Sequence, residues 1–469
     1  MIMKEILFNN TIKKILALLI IVAGIFYTGI TRKVHIPEFA HYYFGAKYAP
    51  EIGYTGLYEA LSKALTEIYN QYFFIHNIYA VRNLHDIGYI TSETALNNFH
   101  SQRWDSQRWK DFLADARFID KSMLANPQKV PIQHWSKILI DHGYNVSPIY
   151  TAYVYPIANL LPLNSTNITI LFWLDIILIL LTFFLLWRMR GLYSLAIAVL
   201  FFASAQDMLT YCTWALLRFD WFFALALAFY FIHRRKYFIG GIFWAIAGVI
   251  RLFPMYMAGF FTILLLLLYK ENKRIELKKI SNFVIGIFSG AIGSVALSSL
   301  ALYLYGMSPI NVWHGFLHRI GNHSAETGIL NAIGLAKIFE LVGLSQPIIA
   351  QLILGILLST LLAIALLKSE LKPENLAIMT IFFIPIFLYL SHYYYLMLIF
   401  PAIIKHKPVR YTISVLIITN IIFTILLKLG LTSNQIINPE CGIYSAILII
   451  FPIVLLYWNK LKHTDLIEK

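Results

Sequence analysis

The sequence predicts an all-α polytopic membrane protein of about 12 transmembrane helices, with a long extracytoplasmic first loop that carries juxtamembrane helices. Three observations lead there. Of 469 residues, 59% are hydrophobic and 13% are charged, whereas a soluble domain is about 45–50% apolar and about 25% charged. Runs such as "ILALLIIVAGIFYTGI" and "ILFWLDIILILLTFFLLW" approach or reach the ~20 residues that cross a bilayer. Short basic clusters also fall in every second connection and not in the ones between. Residues 1–469 therefore read as a single integral membrane domain. The formal charge of +14 is scattered through those clusters, so it reports topology and implies no nucleic-acid partner.

Cationic clusters favour the cytoplasmic side, and they orient each element in turn. Lys4, Lys13 and Lys14 precede span 1 (Ile12–Ile30) and place the N-terminus inside. That run is long, lacks a small-residue cleavage site and continues directly into "TRKVHIPEF", which marks an anchor rather than a cleaved signal. Span 2 (Ile168–Trp187) returns to Arg188 and Arg190. Span 3 (Leu192–Met208) goes out, and span 4 comes back to "HRRK", His233–Lys236. Spans 5 and 6 form a hairpin that turns at "RLFP", Arg251–Pro254, and ends in "KENKRIELKK". Span 7 (Phe283–Tyr305) leads out and span 8 (Ile348–Leu367) returns to Lys368 and Lys372. Spans 9 and 10 turn at His392 and end at "KHKPVR". Spans 11 (Ile413–Leu429) and 12 (Ile443–Trp458) bring the C-terminus back inside.

The outside then holds residues 31–167 and a second loop, 306–346. In the first loop, Leu61, Ala64, Leu65, Ile68 and Tyr72 recur at helical spacing, as do Trp109, Phe112, Leu113 and Ala116. Aromatic stripes beside Arg and Lys predict helices lying at the membrane interface. The tandem "SQRWDSQRW" is too short for an architectural repeat. "SPIYTAYVYPIANLLP" is apolar but short and contains Pro156, so it reads as a juxtamembrane or re-entrant helix. Cys212 and Cys441 make neither a disulfide framework nor a zinc site.

Charges inside the apolar regions point to function. Asp220 to His233 covers about 20 Å and Lys236 to Arg251 about 22 Å of helix, short of a hydrocarbon core about 30 Å thick. His392 to Lys405 likewise gives about 20 Å. Three outward turns therefore stop below the surface, presenting Arg218 with Asp220, Arg251, and His392. Ionisable residues at such depth cost at least about 2.5 kcal/mol each and face a cavity or a partner. A crevice lined by two guanidiniums and an imidazole suits a lipid-linked phosphate, because Arg offers a bidentate fork to phosphate oxygens and apolar helices can hold a polyprenyl tail. The plainer alternatives are an Arg218–Asp220 pair, an Arg251 that snorkels to the headgroups, and a packing role for His392.

Glu38, just outside span 1 and followed by Tyr42, Tyr43 and Lys47, would hang over that crevice. Glycosyl transfer needs one base for the acceptor hydroxyl. A phosphate leaving group needs positive charge rather than a general acid, unlike the carboxylate pair of a glycosidase. Spacing alone leaves Glu51, Glu59, Asp105, Asp111, Asp115, Asp120 and Asp141 as rival acids. The second loop adds His314, His318 and His323. His314 and His318 share a helical face, but no third ligand stands at matching spacing, so no metal is expected.

Several of these stretches fall in one order along the chain. "EFAHYYFGAKY" and "GLY" follow the first span; "VYPIANLLP" (Val154–Pro162), "RLFP" and "LSHYYYLMLIFP" (Leu390–Pro401) come after. In that order they resemble the GT-C superfamily of polyprenyl-phosphate-sugar-dependent glycosyltransferases, and most nearly family 87, the polyprenol-phosphate-mannose-dependent mannosyltransferase group. Ile157 replaces the family's second proline, Arg251 its lysine, and Glu38 its catalytic aspartate; about Glu59–Ser147 is an insertion. The resemblance implies a GT-C-type fold, an active site on the outer face, and Glu38 as base. It also implies a polyprenyl-phosphate-linked sugar donor as substrate, a lipid or glycan acceptor, and no cofactor. Donor contacts are then expected from Arg251, Arg218, Asp220, His392, His314, His318, His323, Tyr42, Tyr43 and Lys47. The alternatives are a transporter or flippase of lipid-linked glycans, for which broken helices and internal repeats are expected, and an O-antigen-type ligase or polymerase, to which "WHGFLHRIGNH" is suited.

Overall fold

The computed structural model describes residues 2–30, 36–123, 132–210, 212, 215–272, 275–325, 332–344, 348–431 and 433–467. Those residues are almost entirely helical, with two short two-stranded pairings. Seven of the described helices are long and apolar enough to cross a membrane, and four shorter apolar ones accompany them. The chain is accordingly a multi-pass membrane protein. The long helices coincide with predicted spans 1, 2, 6, 7, 8, 11 and 12. Their outward faces carry exposed apolar side chains such as Leu19, Phe184, Ile292, Leu297 and Ile353, as lipid tails require.

The predicted spans 3, 4, 5, 9 and 10 are where the helices run short. Leu192–Ser204, Asp220–His233 and Tyr237–Ile250 have 13, 14 and 14 residues, about 20 Å each. Spans 9 and 10 are not regular helices at all. Pro373–Met379 passes into a 3-10 turn Thr380–Phe383 and a short helix Ile384–Phe387. The chain then extends at Leu390–Ser391, pairs antiparallel with Ala332–Ile333, and continues as a 3-10 turn His392–Leu398. Irregular backbone survives at such depth only inside protein, and this segment is buried from Leu376 to Ile386 and again from Tyr395 to Ile404.

Small residues set how closely the short helices approach the long ones. A Cβ added at Gly286 would stand 2.1 Å from the Phe238 carbonyl oxygen, and one at Gly241 2.4 Å from that of Phe283. Tyr237–Ile250 therefore lies almost backbone to backbone on Leu277–Leu304, the mode favoured where lipid removes any hydrophobic drive for helix association.

The first loop folds into a cap with its own core. Helices Ile36–Lys47, Leu57–Tyr69, Ser106–Phe118, Ile132–Leu139 and Pro148–Leu160 bury Phe39, Tyr43, Leu61, Leu65, Phe112, Trp135 and Val154 together. The cluster continues onto Leu171 and Phe172 of the span Ser165–Arg190. The apolar stripes of this loop thus meet one another. The first stripe stops at Ile68, because Asn70 takes a left-handed φ of 74° and leaves Tyr72 exposed on the next helix. The second loop docks on the cap: Arg319, 2% exposed, donates to the Leu84 and His142 carbonyls at 3.1 and 2.8 Å.

Candidate active site

Arginines from two separate turns converge on Tyr42. Helix Ile36–Lys47 begins with Glu38 in its first turn and carries Tyr42 one turn later, so both face the same way. Arg218 comes from the loop before helix Asp220–His233. There Leu216 and Leu217 both take left-handed φ values, 73° and 51°, a conformation that costs about 1–2 kcal/mol for a residue with a side chain. Asp175, 1% exposed within its span, holds the strained turn by accepting the Phe219 N–H at 3.1 Å. Arg251 occupies the extended break between Tyr237–Ile250 and Phe253–Asn272. Tyr393 and Tyr394 come from the buried 3-10 turn.

Tyr42 stands between the two guanidiniums. Arg251 Nη2 donates to its hydroxyl at 2.8 Å, and the Arg218 guanidinium carbon sits 4.6 Å from its ring centroid. Arg218 also lies 5.1 Å from the Tyr393 ring and Arg251 6.0 Å from the Tyr394 ring. Glu38 Oε2 pairs with Arg218 Nη2 at 3.4 Å, longer than a charge-assisted hydrogen bond of about 2.7–2.9 Å. Arg218 and Arg251 are 4% and 8% exposed, and the buried Arg251 Nε–H meets no acceptor among the described residues. Asp220 is the other nearby carboxylate, and it is already engaged: it accepts from the Tyr153 hydroxyl and from the Trp221 N–H. No ion pair joins it to Arg218 among the described residues. Two buried guanidiniums thus lie near two carboxylates, Glu38 in a long pair with Arg218 and Asp220 on neutral donors, and the Arg251 Nε–H is left open to a further acceptor.

The site differs from an open crevice. The void against Arg218, lined by Phe219, Trp221, Phe222, Tyr393 and Tyr394, measures about 10 Å³, room for one water at most. Aromatic rings fill the rest: Tyr42 meets Tyr150 edge-on at 5.3 Å, and Tyr394 packs between Trp221 and Phe253.

The rival acids of the first loop are all engaged elsewhere. Glu51 takes Arg108 through both oxygens, at 2.5 and 3.2 Å. Glu59 pairs with His85, and Asp105 caps helix Ser106–Phe118. Asp111 accepts from Gln107, and Asp120 from Tyr69 and Trp135. Asp141 faces His41 at 3.7 Å. Asp115 accepts from Lys47 and from Tyr48, each at 2.7 Å, while Lys47 also donates to Tyr43 at 2.9 Å. Burial pushes the Asp115 carboxyl above its ordinary range despite Lys47. Glu38 alone among the first-loop acids considered stands beside the arginines.

The expected donor contacts accordingly divide. Glu38, Tyr42, Arg218 and Arg251 come together, while Asp220, two residues past Arg218, is bound by Tyr153. Tyr43 and Lys47 belong to the Asp115 network inside the cap. His392 is buried at the head of its turn, and it is the following tyrosines that touch the arginines. His314 and His318 are exposed on helix Pro309–Ala325, and His318 lies 2.9 Å from the His85 carbonyl. The side chain of His323 lies outside the described residues. Among the described residues no group of three or more His, Cys, Asp or Glu gathers as a metal seat. Tyr393, Tyr394, Tyr150, Tyr153 and Asp175 were not singled out by sequence, although an aspartate inside "ILFWLDIILIL" breaks the apolar pattern visibly. Comparison with family models, with curated proteins and with solved structures gives no match for this chain.

Proposed function

We propose that the chain is an inverting membrane glycosyltransferase with a GT-C-type architecture, moving a sugar from a polyprenyl-phosphate donor to a lipid or glycan acceptor on the extracytoplasmic face. The observation that carries it is the buried pair Arg218 and Arg251 around Tyr42 with Glu38 at its edge. The donor phosphate binds between the guanidiniums, its oxygens taking the Arg251 Nε–H, and the polyprenyl chain runs along the apolar helices. Glu38 removes the acceptor hydroxyl proton as that oxygen attacks the anomeric carbon from the face opposite phosphate. The bond from anomeric carbon to phosphate oxygen breaks, and its electron pair leaves on polyprenyl phosphate, whose added charge the arginines stabilise. Tyr42, Tyr393 and Tyr394 must swing aside to admit the donor, a loop-scale motion of the kind that gates many enzymes.

Transfer from a purified polyprenyl-phosphate sugar by the detergent-solubilised protein is the test. Glu38→Gln is expected to cut turnover by about 10²–10⁴-fold, the contribution of a positioned general base, with donor KM little changed. Full turnover in that variant removes Glu38 from the chemistry.

A carrier of lipid-linked glycans is the second reading, and the interrupted segment Pro373–Ala402 favours it, because broken helices line substrate paths in transporters. Reconstituted vesicles separate the two: a carrier translocates the intact lipid-linked sugar without cleaving its phosphate bond.

A further inference from the structure

A second cavity, of about 290 Å³, lies beyond the wall of the arginine site, between the cap and the start of the second loop. Its lining includes Tyr54, Arg103, Tyr144, Thr151, Ser308 and Asn311. That volume is at the small end of ligand pockets, the size for one sugar ring rather than a chain. Tyr54 and Tyr144 pack on each other with ring centroids 5.4 Å apart and form a buried apolar floor to the cavity, while the exposed Ser308 and Asn311 supply hydroxyl and amide groups for the edge of a pyranose.

The charge at the cavity comes from the tandem "SQRWDSQRW". Its two arginines do different things. Arg108 is locked: it takes both oxygens of Glu51 and donates to Asn159 and to the Lys47 carbonyl. In doing so it fixes the turn Ala49–Gly53, which forms one side of the cavity. Arg103 lines the cavity instead and pairs with no carboxylate among the described residues. The wall shared with the arginine site is thin. Tyr150 packs on Tyr42, while the next residue, Thr151, faces the cavity and bonds to the Tyr144 hydroxyl at 2.7 Å.

We propose that this cavity seats an anionic monosaccharide of the acceptor, its acidic group on Arg103 and its ring against Tyr54 and Tyr144. As an acceptor subsite it rests on the transfer reading; as a saccharide site it does not. A carboxylate and a phosphate offer Arg the same fork-shaped partner, so the sugar acid and the sugar phosphate are tested as separate arms.

Saturation-transfer NMR on the full-length protein in nanodiscs, with methyl glucuronide, glucose 6-phosphate and methyl glucoside as probes, reads binding without turnover. One of the anionic probes is expected to bind at least about tenfold more tightly than the neutral one, the effect of one charge-assisted contact. Arg103→Gln should remove that preference, and Asn311→Trp, which fills the cavity from an exposed position, should remove binding altogether. Thermal unfolding checks that both variants fold. Equal binding of the neutral glucoside, no saccharide binding, or anion preference that survives Arg103→Gln would each overturn the proposal. Anionic-sugar binding without any donor turnover would sink the transfer reading and leave the saccharide site standing; turnover with no saccharide binding would do the reverse.

Discussion

At the scale of single residues, burial separates groups that hold the fold from groups that can act. Lys47 and Asp115 are 6% and 5% exposed and paired at 2.7 Å. Removing one member of a buried pair strands the other charge, so Lys47→Met should destabilise by about 3–5 kcal/mol, read by thermal unfolding. Its pH dependence has a definite sign. The Asp115 carboxyl is already raised by burial, and losing Lys47 raises it further. A native state that holds its proton more tightly than the unfolded chain gains stability as pH falls, so the deficit should shrink on acidification through the carboxyl range. Tyr42→Phe removes one hydrogen bond and keeps the ring between the guanidiniums. It should cost about 1 kcal/mol of stability and leave the cation–ring contact with Arg218 in place. Arg218 and Arg251 were legible because a charge in an apolar stretch is conspicuous, whereas Glu38 was set apart from the rival acids of its loop only by the resemblance. Lys47 and Tyr43 misled because adjacency along the chain puts them on the helix of Glu38, whereas their side chains turn toward Asp115, far away in sequence.

At the scale of elements, the short helices next to Arg218 and Arg251 were legible from distance alone, since a basic cluster marks one end and a rise of about 1.5 Å per residue fixes the reach to the other. What held each turn was not legible. The Arg218 loop depends on Asp175, which sits on a different span and reaches Phe219 N–H. Asp175→Ala should release two left-handed leucines, mispositioning Arg218, and is expected to raise donor KM several-fold with Glu38 intact. Leu217→Gly in that background should restore part of the loss, because glycine takes a left-handed φ without strain. Restoration of nothing would mean that the loop is held by other contacts. The irregular 3-10 path through Tyr393 and Tyr394 was hidden for a related reason. Its apolar composition fits a helix, and only its pairing with Ala332–Ile333 and the burial of the chain on either side, Leu376–Ile386 and Tyr395–Ile404, make the extended backbone tolerable. Gly286→Val should disrupt the seam between Tyr237–Ile250 and Leu277–Leu304 by forcing a side chain onto the Phe238 carbonyl, visible as lower yield and a lower unfolding temperature.

At the scale of the whole molecule, a lipid-facing bundle carries a folded cap, and the cap supplies Glu38 and Tyr42 to arginines presented by the bundle. Composition revealed the bundle, since 59% apolar residues leave few other architectures. It did not reveal the cap's core, because the stripes of an interfacial helix and of a small buried core look alike until their partners are known. The faces of the bilayer are accessible to experiment: both native cysteines are buried, so cysteines introduced at exposed Leu252 and at Gln102 should label from the same side with an impermeant reagent. The claim on which the rest depends is that Arg218 and Arg251 form the seat for a lipid-linked phosphate. Native mass spectrometry of the purified protein with polyprenyl phosphate addresses it without requiring turnover. One bound lipid is expected on the wild-type protein, lost in Arg251→Ala and in Arg218→Ala, with each variant still folded. Polyprenyl phosphate that stays bound to both variants as tightly as to the wild type would contradict it.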